Sequence, residues 1–104
     1  MKLKTLQEAR YAGEHPVIAR IEKAIKDRSH ANFWDIEERD VGLLVKQLNK
    51  KYGNAATGDA QTLDPATHLM RPTSYHWTSG TDYGISLGHD EEYSPPYGVE
   101  VYQL

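Results

Sequence analysis

Apolar positions in the first half of the chain recur at helical spacing. Val17, Ile18, Ile21, Ala24 and Ile25 share one face, with Arg20, Glu22, Lys23 and Lys26 opposite them. Pro16 suits a first helical turn, where its missing N–H costs nothing, so a helix is predicted over about 16–28. Val41, Leu44, Val45, Leu48 and Tyr52 form a second stripe and predict a helix over about 36–52, opened by Asp35 as N-cap and stopped by Gly53. Acids at its start (Asp35, Glu37, Glu38, Asp40) and Lys46, Lys50 and Lys51 near its end follow the order the helix dipole favours. Thr5-Leu6-Gln7-Glu8 matches a capping box and predicts a short helix over about 6–12. Phe33 and Trp34, in the connector 29–35, are expected to plug the core between helices.

After Gly53 the period changes. Residues 54–64 are small and polar and are expected to form a long surface loop, followed by one helical turn over 66–70 that Pro72 ends. Tyr75 and Trp77 alternate with polar residues, as do Tyr83, Ile85 and Leu87, which predicts strands over about 73–78 and 83–87 joined by a hairpin turn at 79–82. Val99, Val101 and Gln103 suggest a third strand over about 98–103, reached through a loop that holds His89-Asp90-Glu91-Glu92 and Pro95-Pro96. The expected fold is a single α+β domain over 1–104, with helices packed on an antiparallel sheet of about three strands; at 104 residues one core can be built.

Composition narrows the chemistry. The absence of cysteine excludes disulfides, thiolate metal sites and a cysteine nucleophile, and fits a reducing compartment. No apolar run near 20 residues is present and no apolar run follows the basic start, so neither a membrane span nor a secretory signal is expected; the default location is the cytoplasm. Up to Tyr52 eleven Lys and Arg face eight Asp and Glu, a net of +3. From Gly53 onward Arg71 alone faces seven acids, a net of −6.

Five of the seven tyrosines lie in that acidic half. Tyrosine buries area at low entropic cost and keeps a hydroxyl for bonding, so the leading expectation is a non-catalytic binding protein. Its face would comprise Tyr75, Trp77, Tyr83, Tyr93 and Tyr97 with Asp82, Asp90, Glu91 and Glu92. The negative charge favours a protein partner with a basic surface over nucleic acid, and a small ligand held between the aromatics is the other occupant considered. No cofactor is expected. A free edge strand and surplus aromatic area would also allow a homo-oligomer.

Two alternatives use other residues. His76 and His89 with Asp90 could hold a metal ion for a small hydrolase or nuclease, although no ligand spacing of a known kind is present. A basic third helix ending in Lys46, Lys50 and Lys51 could approach nucleic acid, but the helix dipole explains those lysines without a ligand. No stretch matches a family motif; the general profile suits a phage or mobile-element accessory protein.

Overall fold

The computed structural model describes residues 13–64, 67–78, 80 and 82–104. The helix predicted over 6–12, and Ser79 and Thr81 of the turn predicted at 79–82, lie outside these residues. Helix α1 runs Pro16–Lys26, with Pro16 in its first turn and the His15 Nδ1 accepting the Val17 amide at 3.1 Å. It stops two residues earlier than the apolar pattern suggests. Arg28 adopts a left-handed φ of 54°, its amide bonds to Ile25 O, and the Ser29 amide reaches back to Ala24 O, which together close a Schellman turn without glycine.

The next segment departs from the sequence reading. Residues 31–36, taken there as a connector running into a helix, form strand β1 (Ala31–Ile36). A short 3₁₀ turn over Glu38–Asp40 follows, and only then α2 (Val41–Tyr52), which Gly53 ends at a φ of 89°. The third helix therefore begins five residues later than expected. The acids crowded there occupy a strand end and a 3₁₀ turn, because β1 is stabilised by hydrogen bonds to the last strand of the chain, a partner invisible to local periodicity.

Strands β2 (Ala56–Thr57), β3 (Gln61–Leu63), β4 (Met70–Pro72), β5 (Ser74–Thr78), β6 (Tyr83–His89) and β7 (Tyr97–Gln103) complete the order. The main sheet has five antiparallel strands in the order β1-β7-β6-β5-β2, larger than the three anticipated. The expected loop at 54–64 contributes β2 and β3; of the turn expected over 66–70, Ala66 lies outside the described residues, the His68 amide bonds back to Asp64 O, and Met70 already belongs to β4. Bonds from Gly58 N to Ser74 O and from Thr73 N to Ala60 O link the β2/β5 pairing to β3/β4, so the two pairs form one bent ribbon.

Both described helices cover the same face of the sheet. Ile36, Tyr75, Trp77, Tyr83, Ile85, Leu87, Tyr97, Val99 and Val101 meet Val17, Ile18, Ile21 and Ala24 of α1 and Val41, Leu44 and Leu48 of α2 in one continuous core. α1 lies against β1 and β7, and α2 against β5. The result is two layers, helices on sheet, with the other sheet face left uncovered by any described element. No helix of the described residues is long and apolar enough to cross a membrane.

Candidate binding face

Strand parity sorts the candidate aromatics. Residues that pair across strands share a face, so Tyr75, Leu87 and Val99 point toward the helices, as do Trp77, Ile85 and Val101. Tyr75, Trp77, Tyr83 and Tyr97 are all buried in the core, Tyr97 completely. The binding face expected from the sequence cannot be built from these four rings: the two helices need an apolar sheet surface to cover, and the alternating tyrosines and tryptophan are that surface. Tyr93 alone of the five is exposed.

The acids divide as well. Arg28 bonds to Asp82 at 2.8 Å, and that hydrogen bond holds the Asp82 carboxyl below the ordinary carboxylate range. Asp90 is half-buried and structural in part: its amide bonds to Pro96 O, its carbonyl accepts the Tyr93 amide, and its Oδ1 accepts the Glu92 amide at 3.0 Å. Those bonds shape the turn that carries Glu91, Glu92 and Tyr93, all exposed.

The metal alternative fails on parity. His76 pairs with Ser86 and is exposed on the outer face, whereas His89 shares the inward parity of Leu87 and packs its ring edge-on against the buried Tyr97 at 4.9 Å. The two imidazoles lie on opposite faces of the sheet and cannot bind one ion. Among the described residues no group of three or more His, Asp or Glu is placed to hold a metal.

The uncovered face has its own organisation. One cross-strand row reads Asn32, Glu100, Ser86, His76, Ala56, and the neighbouring row carries Gly98, Gly88 and Ser74. Between Phe33 and Ile36 the β1/β7 register shifts by a bulge, which sets Trp34 and Asp35 against the single residue Gly98. Asp35 pairs with Arg20 of α1 at 2.9 Å, while the Trp34 indole lies flat on Gly98, where any Cβ would collide with it. Tyr93 then stacks on Trp34 with centroids 4.4 Å apart and planes 22° from parallel. Trp34 is 36% exposed and Tyr93 48%.

Further along, Tyr102 covers Gly84 in the same manner, and a shallow cleft of about 250 Å³ opens among Tyr52, Asn54, His76, Thr78 and Tyr102. Gly88 is different: nothing lies within 4 Å of the position its Cβ would take. Aromatic walls at Trp34/Tyr93 and at Tyr102 thus flank a floor of glycine, serine and histidine. Among the described residues, no lysine or arginine stands in the outward-facing positions of these strands.

Sequence reasoning missed Trp34, Glu100 and Gly88. The two-residue period of Ala31, Phe33 against Asn32, Trp34 was the available signal, and reading it as a strand would have put Trp34 opposite the core. A second group of exposed apolar side chains, Leu63, Leu69 and Met70, gathers at the end of the bent ribbon.

The fold and this face define the chain as a two-layer α+β domain with one open, aromatic-walled sheet surface. No family model matches the chain, and no curated protein or solved structure is significantly similar to it.

Proposed function

We propose that this is a non-catalytic binding protein that engages another protein through the open sheet face. The observation that carries this reading is the Trp34–Tyr93 stack, kept on the surface over a glycine and away from a core that already contains the other described tryptophan and four buried or half-buried tyrosines. Exposed aromatics at the centre of a contact supply much of its energy, and a flat floor admits an extended segment or a flat partner surface. Single-stranded nucleic acid also stacks on aromatic sheet residues, but it requires a positively charged track beside them. Glu100 stands on this face instead, with Glu91 and Glu92 on the turn that carries Tyr93.

Gly88 provides the test. A Cβ there meets no neighbour and valine suits a strand, so Gly88→Val is expected to fold and melt at or slightly above the wild-type temperature while filling the floor. Peptides panned from a random displayed library against the wild-type protein are expected to lose binding to Gly88→Val and to Tyr93→Ala. Binders indifferent to both variants would show that the contact surface lies elsewhere.

A further inference from the structure

Among the described residues one local assembly occurs three times: an arginine over an aromatic ring with a carboxylate at its guanidinium. Arg20 lies 5.4 Å from the Phe33 centroid and pairs with Asp35 at 2.9 Å. Arg28 lies 5.6 Å from Tyr83 and pairs with Asp82 at 2.8 Å. Arg71 lies 5.2 Å from Tyr97 and bridges Glu38 at 3.6 Å and Asp64 at 3.4 Å. A guanidinium is planar and weakly hydrated, so it can stack on a ring while its edge meets a carboxylate.

A fourth set of the same parts has no arginine. Of the acids in the described residues, only Glu37, Asp59, Asp90, Glu91, Glu92 and Glu100 lie outside every ion pair. Four of these six neighbour the aromatic stack in sequence or register: Asp90, Glu91 and Glu92 in the turn that carries Tyr93, and Glu100 two residues along β7 from the Gly98 on which Trp34 rests. Trp34 is occupied on both sides, by Gly98 below and Tyr93 above. The ring surface left free is therefore the outer face of Tyr93.

We infer that the occupant of the open face is an extended segment of a partner protein bearing an arginine, whose guanidinium stacks on Tyr93 and pairs with Glu91 or Glu92. The inference rests on the binding-face reading above and specifies its partner. The rest of the segment crosses the bare floor at Gly88, beside the polar row of Glu100, Ser86 and His76. The partner would thus complete in trans the arrangement that Arg20, Arg28 and Arg71 complete within the chain.

Isothermal titration of the full chain with capped tetra-arginine, tetra-lysine and tetra-citrulline peptides tests it. Tetra-arginine is expected to bind about tenfold more tightly than tetra-lysine, with no measurable binding of the uncharged citrulline peptide, and to weaken as salt rises. Tyr93→Phe, which keeps the ring, should bind within about threefold of wild type, while Tyr93→Ala and the Glu91→Gln/Glu92→Gln pair should each lose about tenfold. Equal binding of the arginine and lysine peptides, or an undiminished arginine affinity in Tyr93→Ala, would reduce the effect to general charge attraction and overturn the inference. Tight binding of an oligothymidylate in place of the peptides would overturn it too. The two readings fail separately: panned peptides that need Gly88 and Tyr93 but contain no arginine would remove the guanidinium and leave the binding face.

Discussion

The indole Nε1 of Trp77 donates to Oδ1 of Asn49 at 2.9 Å, and the same oxygen accepts the Ala55 amide at 3.0 Å. One side chain from the last turns of α2 thus satisfies the polar edge of a core tryptophan and holds the chain that leaves the helix toward β2. Asn49→Ala strands both donors and should destabilise the fold by about 1–3 kcal/mol, measured by urea unfolding. Asn49→Asp retains an acceptor and should cost less.

Trp34 and Gly98 form a coupled pair. Gly98→Ala alone must push the indole off the strand and break its stack with Tyr93, at an expected cost of about 1–3 kcal/mol. In a Trp34→Ala background the same substitution meets no ring and gains strand order, so it should stabilise by about 0.5–1 kcal/mol. A double-mutant cycle by thermal unfolding checks the reversal of sign; two equal penalties would show that the indole does not rest on Gly98.

The Tyr97 hydroxyl is buried with no hydrogen-bond partner among the described residues. Burial, the largest effect, pushes its phenol above the ordinary value; the neighbouring Arg71 guanidinium, as a polar group as well as a charge, opposes this from over the ring. Tyr75 is raised for the same leading reason. A raised folded value means that stability is whole below the unfolded phenol value of about 10 and falls as pH climbs through the interval above it, since the unfolded chain releases its protons first. Tyr97→Phe should remove part of that alkaline loss. At pH 7 it should be neutral or stabilise by about 1 kcal/mol, because an unsatisfied buried hydroxyl disappears. Denaturant midpoints between pH 7 and 11 read both effects.

Arg71 ties the ribbon to the 3₁₀ turn through Asp64 and Glu38. Its removal in Arg71→Met takes the guanidinium away from the partly buried Glu38 and Asp64 carboxylates and should cost about 1–3 kcal/mol in urea unfolding at neutral pH. Stability equal to that of wild type would show that these ties contribute nothing.

Local signals carried the two described helices, because each stripe, cap and stop acts within a few residues. Pro16 opens α1, Gly53 ends α2, and the buried positions of both match the apolar spacing. The alternation at 75–77 and 83–87 likewise located two strands and showed which of their residues share a face. The same tyrosines were misassigned in function, since a period of two states that a strand has two unlike faces and says nothing about which neighbour covers one of them.

The sequence by itself determined the helix faces, the β5/β6 hairpin and the separation of positive and negative charge between the two halves, all of which depend on spacing along the chain. Only the tertiary structure decided the rest. β1 exists because β7, more than sixty residues later, supplies its hydrogen bonds, and that pairing turns Trp34 from an expected core plug into a surface ring over Gly98. The helices decided that four candidate aromatics are core and Tyr93 is not, because burial is settled by what lies across the gap, and that partner is never adjacent in sequence.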